Sequence, residues 1–292
     1  MKYIKTFNHS SEYEIFVNSN DLLLPNVSYV KETEFVGFHP YVPPPPPLPE
    51  PTVIATYNAE SPYGMLALNS TTGVKQLFVD DVEINNFGSN YSFETEGEHT
   101  VKIILDENAT IAPYLFSETL VTSVDINNLV TSIGEYAFYQ CTYLTSVTIP
   151  DSVTTIGGRA FMKCLSLPNI TIPDGVTTIG DATFHSCDAL TSVTIPDSVT
   201  TIGDIVFYTC TNLTSVTFGN SLTSIGYHVF EYCENLTSIT CYAKTAPSIS
   251  GDTFYGVPLG GTLYYPNKSN YSSWLGSGAY YLKYYNWKSQ TI

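Results

Sequence analysis

From Val121 onward, apolar residues return to the same places every 23 positions. One column runs Val121, Leu144, Leu167, Leu190, Leu213 and Leu236. Three residues on stand Val124, Val147, Ile170, Val193, Val216 and Ile239, and two further on Ile126, Ile149, Ile172, Ile195, Phe218 and Cys241. A second cluster opens with Ile133, Ile156, Ile179, Ile202 and Ile225, each followed by glycine. It closes with Phe138, Phe161, Phe184, Phe207 and Phe230 and, three residues later, Cys141, Cys164, Cys187, Cys210 and Cys233. Several phases locked to one period are the mark of a stacked array. "LTSVTIP" alternates β-branched residues and stops at proline, which predicts a short strand. "VTTIG" predicts a second short strand or an extended turn, closed by a glycine free to take positive φ. "AFMKC" and its equivalents predict one helical turn with Phe and Cys on a common face. A single unit leaves its apolar side chains uncovered where the next unit would sit, so the repetition is an instruction to stack.

The same pattern predicts where the array ends. Ile111 and Phe116 keep the Ile-to-Phe spacing 22 residues ahead of Ile133 and Phe138, and Ile249, Phe254 and "LYYP" recur with one extra residue. The solenoid is therefore expected over 111–266, with 267–292 as an aromatic C-terminal cap. Ahead of it, residues 52–110 hold short runs such as "TVIATY", "LFVDDVEI" and "HTVKIIL" between turn residues. These predict a small all-β, sandwich-like domain that also serves as the N-terminal cap. Asp80-Asp81, set between Val79 and Val82, reads as a hairpin tip. Residues 40–51, "PYVPPPPPLPEP", predict a stiff polyproline II spacer. Residues 1–39 predict a short helix opened by the capping box of Ser11 and Glu14, followed by extended pieces.

The unit "LTSVTIPDSVTTIGxxAFxxC" resembles the BspA-like leucine-rich repeat, over more than half of the chain. The C-terminal "GTLYYPNKSNYSSWLGSGAYYLKYYNW" is similar to the capping tail of that family. The resemblance implies an α/β leucine-rich-repeat solenoid, strand-dominated with short helical turns. It also implies a cell-surface protein used for adhesion or host contact, with no shared catalytic residues. Members commonly begin with a signal or lipoprotein anchor, whereas "MKYIKTFNHSSEYEIF" has no apolar core of that kind. Two locations therefore stay open: the cell surface, or a virion in which residues 1–39 attach a structural appendage.

Charge narrows the partners. The chain carries a net −16 with a single arginine, Arg159. Residues 120–240 hold 2 bases against 10 acids, and only the last stretch, 241–292, turns basic, with 4 lysines against 1 acid. Nucleic acid, which needs a basic face, is excluded as a partner, and no run of 18 apolar residues offers a membrane span.

Candidate chemistry is sparse. All six cysteines fall at core phases of the repeat, where a cysteine behaves as a small hydrophobe; the nearest pair in sequence is Cys233 and Cys241. Zinc spacing is missing, as are the motifs of nucleotide binding and hydrolysis. The acids Asp80, Asp81 and Glu83 are explained by a hairpin tip more simply than by calcium. No cofactor, metal or enzymatic activity is expected. The strands' outward positions are a monotonous Ser/Thr ladder, while variation between copies concentrates in the Phe-to-Cys turn. The candidate interaction surface is accordingly Tyr136, Tyr139, Arg159, Lys163, His185, Tyr208, Tyr227, His228 and Tyr232, because tyrosine and arginine dominate binding energy at interfaces. The expected partner is a protein or a glycan.

Overall fold

A computed structural model describes residues 49–59, 68–85, 87–88, 93, 95–267, 269–276 and 282–292. The segment 1–39 and most of the proline-rich run lie outside the described residues. The array is a strand-dominated β-solenoid. On one face, seven two-residue strands (Thr110–Ile111, Ser132–Ile133, Thr155–Ile156, Thr178–Ile179, Thr201–Ile202, Ser224–Ile225 and Ser248–Ile249) form one all-parallel sheet. On a second face, longer strands pair in parallel with like residues aligned: Val193 opposite Val216, and Val216 opposite Ile239. Like stacks on like because the neighbour of each coil is a copy of itself.

That second face is interrupted. Strands Ser192–Ile195, Ser215–Phe218, Ser238–Cys241, Thr262–Tyr265 and Lys288–Thr291 form one sheet, and Ser146–Thr148 belongs to another. The coil between them carries "LPNITIP", with Pro168 where the other copies place Thr145, Thr191, Thr214 and Thr237. Those threonines each donate the backbone N–H to the preceding coil, as Thr145 does to Thr122 O (2.8 Å) and Thr214 to Thr191 O (2.8 Å). Proline has no N–H to give to Thr145 O. Pro168→Thr is expected to restore that bond and raise stability by about 1 kcal/mol, read as a higher urea midpoint at unchanged slope.

The turn between Ile and Cys is not helical, contrary to the expectation for "AFMKC". Its residues alternate in role. Arg159, Phe161 and Lys163 donate their N–H groups forward to Asp181, Thr183 and His185 O of the next coil (2.8, 3.0 and 2.8 Å). Ala160, Met162 and Cys164 bond back to residues 157, 159 and 161 (3.3, 3.1 and 3.2 Å). Pointing every second N–H along the solenoid axis forces left-handed backbone at two positions four apart, Arg159 (φ 59°) and Lys163 (φ 62°), and again at Ala182 and Ser186. Left-handed backbone is costly for non-glycine residues, and the coil-to-coil ladder over-determines it.

The glycine after each isoleucine does not use its freedom to take positive φ. Gly157 and Gly203 are not among the glycines of positive φ. They are needed because the preceding coil passes too close: a Cβ at Gly203 would stand 2.3 Å from Asp181 Oδ1 and 2.9 Å from Asp181 N. That proximity lets Asp181 Oδ1 accept the Asp204 N–H at 2.9 Å.

The N-terminal part is a single sheet rather than a sandwich among the described residues. Strands β1 (Thr52–Ala59), β2 (Val74–Val79), β3 (Val82–Glu83) and β4 (Gly97–Leu105) lie in the order β3-β2-β4-β1. After β5 (Thr110–Ile111), strand β6 (Val121–Ile126) pairs antiparallel with β1, Val53 opposite Ile126, so the sheet continues directly into the solenoid. The alternating burial of β1 (Val53, Ala55, Tyr57, Ala59) lays these side chains into the same core as Val121, Val124 and Phe138. A sandwich needs a second sheet to cover this face; here the first coil covers it. Asp80 (φ 49°) and Asp81 (φ 63°) form the tip between β2 and β3. Asp80 also accepts from Thr100 N (2.9 Å) and pairs with His99 Nδ1 (2.8 Å), whose ring lies flat on Phe93.

The core is a column of rings. Phe116, Phe138, Phe161, Phe184, Phe207, Phe230 and Phe254 stack at 5.0–5.9 Å with interplanar angles of 5–11°. Beside it stand the cysteines, all reduced and buried. Each of the five turn thiols donates to the phenylalanine carbonyl of the preceding coil, as Cys164 does to Phe138 O (3.2 Å), Cys187 to Phe161 O (3.2 Å) and Cys210 to Phe184 O (3.1 Å). The position therefore asks for a small apolar body with one weak donor, and burial pushes the Cys141 and Cys210 thiols up to about 12. Such thiols are poor nucleophiles. In the first coil Thr119, buried, takes the same place and donates to Phe116 O at 2.7 Å.

The tail closes the C-terminal end. Lys288–Thr291 pairs in parallel with Thr262–Tyr265, adding one more strand to the stack. Tyr271 and Trp274 are buried beneath it, donating to Ala243 O and Pro247 O (both 2.8 Å). No helix among the described residues is long and apolar enough to cross a membrane.

Candidate functional site

The threonines that lead into the strands use their hydroxyls internally. Thr145, Thr191 and Thr214 donate to the carbonyls of residues 122, 168 and 191 (3.0, 3.3 and 2.9 Å), and on the opposite face Thr200 and Thr223 donate to residues 177 and 200 (3.3 and 2.9 Å). With its donor committed to a carbonyl, each of these hydroxyls has little left to offer a ligand.

The turn face differs. Its side chains fall into columns one coil apart. The first column, at the first left-handed step, holds Tyr114, Tyr136, Arg159, Ala182, Ile205, His228 and Asp252. The second, just after each phenylalanine, holds Tyr139, Met162, His185, Tyr208, Glu231 and Tyr255, and the third, at the second left-handed step, holds Gln140, Lys163, Ser186, Thr209 and Tyr232. Every candidate residue named from the sequence except Tyr227 lies in these columns, and Tyr227 adjoins His228 at the edge, 55% exposed.

The structure gathers them into two groups. At the N-terminal end, Tyr136 stacks on Tyr114 (4.7 Å, 10°), meets Tyr139 edge-on (5.5 Å), and carries the Arg159 guanidinium 5.4 Å from its ring centre. Lys163 and His185 follow. His185 sits against Tyr208 (5.0 Å between ring centres); burial, then the charges of Lys163 and Arg159, hold its ring below the usual histidine range. Its Nδ1 is buried without a hydrogen-bond partner. At the C-terminal end, Tyr208, Tyr232 and Tyr255 form an edge-to-face chain (5.9 and 5.6 Å). His228 bonds to Glu231 through Nδ1 and stands 4.0 Å from Asp252.

Tyr114, Tyr255 and Asp252 were not among the residues expected from sequence. They occupy the same columns, but at offsets of 22 residues before Tyr136 and 24 after Glu231 and His228, so a strict 23-residue register passes over them. Among the described residues no group of three or more His, Cys, Asp or Glu side chains gathers to hold a metal.

A rigid stack of near-identical coils, with a cross-linked structural face on two sides and a varied polar-aromatic face on the third, defines a repeat-protein scaffold that displays side chains. The BspA type leucine rich repeat region profile matches six copies spanning residues 109–237 and 154–273. The chain belongs to that family. Among solved structures it is similar to a leucine rich repeat protein of T. pallidum at 28% identity, over 50% of this chain and 80% of that one, with a TM-score of 0.43. It is also similar to a leucine rich cell surface protein of Faecalibacterium prausnitzii (26% identity, 62% of this chain and 61% of that one, TM-score 0.40). The pneumococcal vaccine antigen PcpA matches at 19% identity over 57% of this chain and 41% of that one, with a TM-score of 0.48. No curated protein matches the chain.

Proposed function

We propose that the protein is a non-enzymatic binding protein of adhesion type, and that the turn face is the surface it offers to a protein or glycan partner outside the producing cell. The observation that carries this reading is the contrast between faces. The threonines leading into the strands commit their hydroxyls to carbonyls of the preceding coil, whereas the turn face presents Tyr114, Tyr227, Tyr232 and Tyr255 with 38–55% of their surface free. Tyrosine gives large contact area with few rotatable bonds, and here the left-handed ladder fixes the backbone beneath it, so little ordering cost remains for binding. Membership of the repeat family supports an interaction role. The virion-appendage reading rests on residues 1–39, and nothing in the described residues favours it.

The test is a screen of the full chain against extracellular-matrix proteins and a glycan array, followed by two variants. Tyr208→Ser combined with Tyr232→Ser is expected to weaken the leading interaction at least about tenfold, the scale of one lost anchor. Thr191→Val combined with Thr214→Val, on the strand face, is expected to leave affinity within about twofold while lowering stability slightly. An interaction that survives the tyrosine pair and is lost with the threonine pair would move the site to the other face.

A further inference from the structure

We propose that the turn of Arg159 and Lys163, with His185 of the next coil, is a binding site for a saccharide carrying a single carboxylate. This rests on the turn-face reading and narrows it to one place and one chemistry.

The charge distribution is the first argument. Between residues 120 and 240 the only cations are Arg159 and Lys163, against 10 acids. Both lie on one turn, at its two left-handed positions, φ 59° and 62°. Among the described residues neither makes an ion pair within 4.0 Å. The acid nearest in the ladder, Asp181, already holds the Asp204 N–H with Oδ1. Two cations on one turn, neither held in an ion pair, make a local positive patch in an otherwise acidic array, and an anion bound there would be attracted by both.

The second argument is an unfilled polar position. The His185 backbone carbonyl accepts the Lys163 N–H (2.8 Å), which brings the imidazole to the same patch. Its Nδ1 is shielded from solvent and unpartnered, a state that costs free energy and that a turn of the half-buried ring toward a ligand oxygen would relieve. Arg159, meanwhile, is held over the Tyr136 ring, which is itself held by stacking on Tyr114. A guanidinium so placed is oriented before the ligand arrives, and its fork matches a carboxylate bidentately.

Size and class follow. Two cations and one imidazole suit one carboxylate, and the 10 acids of residues 120–240 oppose a long polyanion, whose further charges would extend over an acidic array. At physiological salt the attraction reaches only about 8 Å, so the local pair decides. The surroundings are ring faces and edges: Tyr136, Tyr139 and Tyr208, with Met162 between. Aromatic surface beside a carboxylate fork suits a pyranose, which offers C–H faces next to its acid, better than a flexible acidic peptide.

The experiment titrates the full chain by calorimetry with 3′-sialyllactose, a glucuronate-terminated disaccharide, lactose, and a triglutamate peptide. At least one acidic saccharide is expected to bind at millimolar concentration or tighter, with lactose and triglutamate at least about tenfold weaker; which of the two acids binds identifies the sugar. Arg159→Gln and Lys163→Gln are each expected to lose about tenfold or more, and Lys244→Gln, outside the turn, to lose nothing. In the complex the His185 ring, which faces Lys163, Arg159 and Tyr208, should titrate at higher pH than in the free protein, because the bound anion offsets both cations. Failure of both acidic saccharides to bind, equal binding by Arg159→Gln, or triglutamate binding as tightly as the sugar would overturn the proposal. Should Tyr208→Ser with Tyr232→Ser still abolish the screened interaction in that case, the saccharide site alone has failed and the turn-face reading stands.

Discussion

Phe184→Ala is expected to lower the unfolding free energy by about 4 kcal/mol, within the range for deleting a buried phenylalanine side chain. Phe184 has no exposed surface and stacks between Phe161 (5.7 Å) and Phe207 (5.6 Å). Its removal leaves a ring-sized void in a column whose members are held by coil-to-coil backbone bonds: Phe161 N–H reaches Thr183 O, and Phe184 N–H reaches Val206 O. Those ladders prevent the coils from collapsing into the gap, so the cavity persists and its full cost is paid. A repeat array is quasi-one-dimensional, and weakening one interface uncouples the halves on either side. Urea unfolding should therefore change from one transition to two, and amide exchange should quicken first around residues 178–210. Phe184→Leu, which refills most of the volume, should cost about 1–2 kcal/mol and keep a single transition. A loss under about 1 kcal/mol for the alanine variant would mean that the ring column does not carry the core.

How much of this was legible in the sequence follows from the distance over which each feature is decided. The solenoid was legible because its contacts join residue i to its own equivalent 23 positions on, so the period of Leu144, Leu167 and Leu190 is itself a contact map. The turn conformation was not. "AFMKC" contains good helix formers and no glycine, and local propensity favours a helical turn. What overrides it is three forward N–H bonds per coil, which exist only once the neighbour is stacked; they hold even β-branched Ile205 at φ 50°. The role of the glycines is hidden from the sequence for a related reason. The need for Gly203 comes from Asp181 in the preceding coil, not from its own φ. The pairing of β1 with β6 joins residues about 70 apart across different patterns, so the sequence offered strands without partners and a sandwich was the nearest class. As for the candidate surface, variation between copies located the columns but not the clustering. Arg159 over Tyr136, and His185 between Lys163 and Tyr208, are meetings between neighbouring coils of side chains that no motif links.

Trp274→Ala is expected to cost about 4 kcal/mol as well, but with a different signature, because it acts at an end. Trp274 is fully buried, tilted on Phe254 (5.6 Å) and edge-on to Phe218 (6.2 Å) and Tyr271 (5.4 Å), so it terminates the ring column that would otherwise face water. Its Nε1 donates to Pro247 O at 2.8 Å, which becomes an unpaired buried carbonyl in the variant. The loss combines about 3–5 kcal/mol for the side chain with a smaller penalty for that carbonyl, partly relieved as water enters at the open end. A terminal cap protects the coils beneath it in order, so fraying should start at Thr262–Tyr265 and Ser238–Cys241 and fade toward the N-terminal half. Hydrogen exchange should show lost protection in those two strands while Ser132–Ile133 and Thr155–Ile156 stay as in the parent chain. Trp274→Phe separates the two contributions: it keeps a ring on Phe254 but not the bond to Pro247 O, and should cost about half as much. If protection were instead lost evenly along the array, Trp274 would be part of a globally cooperative core and not a lid on a stack of separable coils.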